Sequence, residues 1–349
     1  MTELIRIDNQ NTGLATNEAI GKAANAAADR NTFNSYISKR ADNTKRRHAR
    51  ELQLFGEYLS SIGFVNNGMT TPEQWTGITH GIIEGYVNYL LIRSYSISTI
   101  NQTLTIIKLY AKLAGKSKYI QSGELYEISE IKGYKPKDAY NTDNDRMKEG
   151  ISTRREQSKK ANNTKITRYQ AEQLKHSQPD TIQGLRDTLL ITILLDHGPR
   201  ISEVISLTFN SINLEENTIT FYRQKVYKTD KHEITDNTRT AIIKYFSALH
   251  EEGISIEPDK SIWVGTDKWG HATGTYSIRA AQSTVKQLGE SIGLVPLSPH
   301  DCRHYYATAA KRGGTDSLDI MRAGGWSTPT MVNRYIDQNP ISNANVKLG

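Results

Sequence analysis

Apolar residues recur at helical spacing along most of this chain, and in one stretch they alternate instead. From about residue 31 to residue 131 the segments F-N-S-Y-I, N-T-K-R-R-H-A-R-E-L-Q-L-F-G-E-Y-L, H-G-I-I-E-G-Y-V-N-Y-L-L and S-I-S-T-I-N-Q-T-L-T-I-I-K-L-Y-A-K-L-A-G read as helices. In the second of these Leu52, Phe55 and Leu59 form the apolar stripe. Residues 1–29, rich in Asn, Ala and Thr, read as a flexible arm with an alanine-rich helical turn or two. Residues 132–165 are polar and of mixed charge, without a helical stripe, and read as an interdomain linker. Patterning resumes over residues 166–340, starting with a helix capped by Thr167 and a buried helix through Leu189–Leu195 that Gly198-Pro199 breaks. The alternation in T-I-T-F-Y-R-Q-K-V-Y, followed by K-T-D-K and H-E-I-T-D-N, predicts a β-hairpin. Further helices, interrupted by the loop S-I-W-V-G-T-D-K-W-G-H-A-T-G, lead to the C-terminal stretch, and residues 341–349 form a tail. The whole predicts a mainly α protein with a small antiparallel β-sheet (α+β), a helical domain at 30–131 and a second domain at 166–340.

Ser298 to Tyr335 concentrates the chemistry. Ser298-Pro299 reads as an N-cap followed by proline at the first helical position, and His300 and Arg303, three residues apart, share one helix face. Gly313-Gly314 ends that helix; a short one from Asp316 to Ala323 stops at Gly324-Gly325; Trp326 lies on the turn; Ser327, Thr328 and Pro329 start the helix that carries Tyr335. An imidazole, a guanidinium, an indole and a phenol thus arrive near helix ends, where N–H groups and positive dipole ends suit phosphate.

Composition narrows the partner. At 349 residues with 37% hydrophobic content the chain can bury a substantial core, and its formal charge of +7 points to a polyanion. A single cysteine, Cys302, rules out an internal disulfide and a CxxC-type zinc site, which fits a reducing cytoplasm. No apolar run approaches the ~20 residues that span a bilayer, and the start M-T-E-L-I-R-I-D-N-Q lacks the pattern of a secretory leader. Lys45, Arg46, Arg47 and Arg50 load the first turns of one helix with positive charge, which opposes the helix dipole by roughly 0.3–1 kcal/mol per charge unless an anion lies against it. Arg154, Arg155, Lys159, Lys160 and Lys165 make the second half of the linker basic. These clusters are candidate DNA contacts, with a solvated basic face and a solvated tether as the plain alternatives.

The set H-x-x-R, G-G-W and a tyrosine nine positions after Trp326 resembles the C-terminal half of the tyrosine recombinase (phage integrase) active site. Trp326, where most relatives have a second histidine, resembles Cre-type members. The segment G-P-R-I-S-E-V-I-S-L resembles the first arginine box, with Arg200 as a phosphate clamp and Glu203 as its support. The resemblance covers about residues 31–340. It implies a helical core-binding domain and a catalytic domain closing as a C-shaped clamp on DNA, and an essential lysine on the hairpin. Lys225, 25 positions after Arg200, is the first choice and Lys228 the competitor, because this turn lacks the usual glycine.

In that chemistry Arg200 and Arg303 bracket the non-bridging phosphate oxygens, His300 and Trp326 add hydrogen bonds, and the lysine protonates the leaving 5′ hydroxyl. Tyr335, a phenol with an ordinary pKa near 10, attacks phosphorus to give a 3′-phosphotyrosyl link without metal, ATP or other cofactor. The resemblance further implies double-stranded DNA with inverted-repeat sites, a homodimer per site, a homotetramer in synapsis, a Holliday-junction intermediate and a cytoplasmic, nucleoid-associated setting. Competing readings are a type IB topoisomerase-like enzyme and a catalytically silent DNA-binding protein. Tyr305 and Tyr306 compete as nucleophiles, Tyr335 with Met331, Val332 and Ile336 also fits an apolar core face, and Trp326 also fits a hydrophobic plug.

Overall fold

The computed structural model describes residues 16–64, 68–151, 163–224, 227–267 and 270–333. The chain divides between Lys159 and Lys160 into two compact units.

The first unit is helical: α1 (Asn17–Arg30), α2 (Thr32–Ile37), α3 (Asp42–Ser61), α4 (His80–Ile92), α5 (Ile97–Lys116), α6 (Ser122–Glu130) and α7 (Pro136–Lys148). α1 runs well past the turn or two expected and buries none of its residues. Its Thr16 hydroxyl accepts the Ala19 N–H, so a cap and alanine propensity carry the helix without packing. Leu52, Phe55 and Leu59 of α3 are buried as the stripe predicted. Around them the core is largely aromatic, with Phe33 edge-on to Tyr110 at 4.9 Å and Phe55 against Tyr86 at 4.9 Å between centroids. Ser96 caps α5 by accepting the Thr99 N–H at 3.2 Å.

The stretch read as an interdomain linker without a helical stripe contains α7. Pro136 stands at its first position, Asp138 accepts the Lys135 N–H at 3.2 Å, and Arg146 and Lys148 occupy its last turn. Its anchor is not an aliphatic stripe. Arg146 is 5% exposed and donates to the carbonyls of Tyr95, at 3.1 Å, and of Leu91. A helix held through a guanidinium leaves no apolar period to find.

The basic start of α3 is partly compensated from within. Asp42 in the first turn pairs with Lys45 at 3.2 Å, Arg46 donates to Asn43 at 2.9 Å, and Arg47 donates to Gln102. Arg46, Arg47 and Arg50 are exposed.

The second unit holds α8 (Arg168–His176), α9 (Ile182–His197), α10 (Ile201–Ile205), β1 (Ile212–Asn213), β2 (Thr218–Arg223), β3 (Lys228–Glu233), α11 (Asp236–Glu251), β4 (Val264–Thr266), β5 (Ala272–Thr275), α12 (Ile278–Ser291), α13 (Pro299–Arg312), α14 (Ser317–Gly324) and α15 (Pro329–Asn333). Buried α9 is its centre: α8, α11 and α13 pack on it, and Leu189 through Leu194, Thr192 apart, are apolar and fully enclosed. The three-stranded sheet is antiparallel in the order β1-β2-β3, with Arg223 opposite Lys228 at the turn end of the hairpin. The segment read as a loop carries the antiparallel pair β4–β5, irregular at Val264/Gly265, which broke the alternation that would have revealed it. Helix α7 belongs to the first unit. Among the described residues no helix is long and apolar enough to cross a membrane.

Candidate active site

α9 ends at Gly198 in the left-handed region (φ 61°), where a Cβ would come within 2.4 Å of the Tyr306 ring. Pro199 prevents the helix from continuing, and Arg200 becomes the residue before α10 rather than a member of its first turn. Glu203 does two jobs one turn later. Its Oε2 accepts the Arg200 N–H at 2.9 Å and its Oε1 accepts from Arg200 Nη1 at 2.8 Å, so one carboxylate caps the helix and aims the guanidinium. Glu203 is buried, at 5% exposed, while the Arg200 side chain is about a third open at 32%.

α13 supplies the next pair. Asp301 fixes its start by accepting the Ser298 N–H at 2.7 Å and the Thr164 N–H at 2.9 Å. Arg303 is 2% exposed; Nη1 donates to the Gly198 carbonyl and Nη2 to the Gly324 carbonyl, each at 2.5 Å. Its guanidinium lies 4.1 Å from the Trp326 ring centroid. Arg303 therefore joins the turn that presents Arg200 to the turn that presents Trp326. His300 stands at the surface with its ring edge-on to His304 at 5.0 Å. Partial desolvation of the ring, then the neighbouring His304 and the Arg303 and Arg200 charges, hold its pKa below the usual value against the opposing pull of Asp301. His300 lies three residues before Arg303 on α13, and Arg303 reaches the Gly198 carbonyl two residues from Arg200.

The two glycines before Trp326 are there for space. A Cβ at Gly324 would sit 1.7 Å from the Trp326 ring, and one at Gly325, whose φ is 59°, would sit 2.0 Å from Nη1 of Arg223. Trp326 is 4% exposed and packs with Ala307, Ile320 and Val332, so it is both a hydrophobic plug and the floor under Arg303. Tyr305 and Tyr306 are partly buried, and burial raises the pKa of both phenols.

Arg223 is the residue the sequence reading missed. It is 2% exposed, donates to the Gly324 and Ala323 carbonyls at 2.7 Å each, and pairs with Asp230 across the hairpin. The signal was present: Ile219, Phe221 and Arg223 lie on one strand face, and the first two are fully buried. Lys228 is exposed and opposite Arg223. Arg200, Glu203, His300, Arg303 and Trp326 thus come together; Lys225, Tyr335, Arg154, Arg155, Lys159 and Lys160 lie outside the described residues.

Comparisons with known proteins fit this arrangement. The virulence plasmid integrase pGP8-D of Chlamydia muridarum is 30% identical over 164 residues, covering 47% of this chain and 46% of that protein. Tyrosine recombinase XerD of Neisseria meningitidis serogroup B is 27% identical over 140 residues, 39% of this chain and 45% of that protein. The chain spans about half the length of these relatives. In fold it is similar to a lambda integrase dimer bound to a COC' core site (TM-score 0.59, 11% identity, 91% of this chain and 98% of that one). It is also similar to the Tn1549 transposon integrase in complex with a circular intermediate DNA (TM-score 0.57, 14% identity, 83% and 96%). The phage integrase family model matches residues 164–341, just over half of the chain and all of the site described above, so this chain belongs to the phage integrase family.

Proposed function

We propose that the protein is a tyrosine recombinase that cuts and rejoins double-stranded DNA at a specific site. Arg200 and Arg303 grip the non-bridging oxygens of the scissile phosphate, where planar bidentate donors stabilise the charge of five-coordinate phosphorus. His300 and the Trp326 indole supply further hydrogen bonds, tryptophan standing in for the second active-site histidine. Tyr335 attacks phosphorus, the P–O5′ bond breaks, and Lys225, or Lys228 in its place, gives the 5′ oxygen its proton. The 3′-phosphotyrosyl bond keeps the ester energy, so a 5′ hydroxyl from another duplex can reverse the step without metal or ATP. We read the partner as a site of inverted repeats held by a homodimer, two of which pair as a tetramer and pass through a Holliday junction in the cytoplasm, on the nucleoid. The exposed basic residues of α3, together with Arg154, Arg155, Lys159 and Lys160, serve as phosphate contacts.

The observation that carries this reading is Arg303 bonded to the Gly198 and Gly324 carbonyls, which ties the Arg200 turn to the G-G-W turn. Incubation with total DNA, denaturation and sequencing of the DNA that stays attached to the protein tests it. One recurrent junction with protein at the 3′ side is the expected result. Relaxation of supercoils with scattered attachment and no recombinant product would favour the topoisomerase-like alternative, and no attachment would sink the reading.

A further inference from the structure

One carbonyl in this site receives two guanidinium groups. Gly324 O accepts from Nη2 of Arg303 and from Nη1 of Arg223, at 2.5 and 2.7 Å. Arg223 belongs to a different element, the end of β2, and its reach is wide. Its second η nitrogen donates to the Ala323 carbonyl at 2.7 Å, its Nε pairs with Asp230 on β3, and Nη1 stands 3.6 Å from the Glu203 oxygen Oε2. Glu203 is the carboxylate that aims Arg200. A single buried side chain therefore touches both hairpin strands, the carboxyl end of α14 and the support of the first arginine.

A guanidinium suits that junction for a specific reason. The last carbonyls of a helix lack intrahelical partners and carry the negative end of the dipole, so they call for a cation with several donors in one plane. Arginine offers five donors in a rigid fork, where a lysine offers one compact charge that cannot span two strands and a turn. Gly325 completes the fit, because any side chain there would occupy the space of Arg223 Nη1.

The geometry points to Arg223 as a positioning residue that sets the hairpin, and with it the proton-donating lysine, against the two phosphate-gripping arginines. Arg223 lies two positions before Lys225 in the sequence and directly opposite Lys228 in strand register, so Lys228 leaves from backbone paired with that of Arg223. Proton donation works only within about 2.6–3.2 Å of the receiving oxygen, and a misplacement of ~1 Å costs about 10²-fold in rate. Arg223 acts through the lysine and does not itself contact the phosphate.

This inference rests on the recombinase reading, and the test separates the two. The protein's recovered cleavage site is prepared in two forms, one with the natural 5′-bridging oxygen and one with sulfur there, a leaving group that needs no proton. The unsubstituted protein must form covalent adduct on the oxygen substrate; if it forms none on either, the recombinase reading fails first. Arg223→Lys is expected to form adduct about 10²-fold more slowly on the oxygen substrate and within a few-fold of the unsubstituted rate on the sulfur one. Melting temperature and DNA affinity are measured alongside. Asp230→Asn, which loosens only the hairpin side of the junction, is expected to show the same rescue with a smaller deficit. Equal losses on both substrates, or no loss, overturn the inference. So does a variant pair whose fold and DNA binding fail together, which would assign Arg223 to stability alone.

Discussion

The basic residues of α3 and the arginines around Gly324 are the same chemistry in opposite surroundings. Arg46 and Arg50 are exposed, and Lys45 pairs with Asp42 of its own helix. Arg223 and Arg303 are 2% exposed and bond to main-chain carbonyls of other segments. An exposed cation with a short-range partner adds about 0–1 kcal/mol to stability, and its use is to attract a polyanion over a distance set by salt. A buried cation must be fully bonded to be tolerated, and its use is to fix geometry. Under the proposed function, equal positive charge therefore does two jobs, binding in the first unit and alignment in the second.

Substitution at the aligned end should break catalysis hardest. Arg303→Lys keeps the charge but cannot hold the Gly198 and Gly324 carbonyls and the Trp326 face together, so adduct formation should fall about 10²–10³-fold. Filter binding at low salt should change little. A variant that cleaves normally would remove the alignment role.

Acid sharpens the same contrast, because it adds a buried charge with no fitted partner. His197 is buried against Thr238, and burial, then the His232 charge, push its pKa down to about 4 against the favourable pull of Asp196. Its folded-state value lies below the unfolded 6.5, so the unfolded chain takes up the proton first. Stability should hold above pH 6.5 and fall by on the order of 3 kcal/mol as pH drops toward 4. Urea melts across that range check it, and His197→Gln should ease the slope. An unchanged slope in that variant would place the acid sensitivity elsewhere.

The smallest effect belongs to α3. Replacing Lys45, Arg46 and Arg50 together by Gln should weaken DNA binding roughly uniformly across sequences and lower the log–log salt slope by about 0.9 for each phosphate no longer neutralised. The cleavage rate at saturating protein should stay the same. Unaltered salt dependence would leave these residues as a solvated face.

The readable part of the molecule was the part written in apolar period and backbone punctuation. Leu52, Phe55 and Leu59, the buried run through α9, Gly198-Pro199 and Gly324-Gly325 each fell where the pattern put them. Helix α7 escaped because its anchor is Arg146, whose bonds to the Leu91 and Tyr95 carbonyls leave no hydrophobic trace. Arg223 escaped for the same cause, though its place in the alternation with Ile219 and Phe221 marked it as inward-facing. Arg200, His300, Arg303 and Trp326 were legible as a motif, but the motif did not say that two backbone carbonyls join them. Buried guanidinium groups do the work of core residues here, and hydropathy scores them as surface.

The most direct test of the proposed chemistry is to locate the bond it makes. The covalent complex is digested with protease and nuclease, and the peptide that keeps a nucleotide is sequenced by mass spectrometry. A 3′-phosphonucleotide is expected on the peptide containing Tyr335, lost in Tyr335→Phe. A nucleotide on Tyr305 or Tyr306, or an adduct that survives Tyr335→Phe, would contradict it.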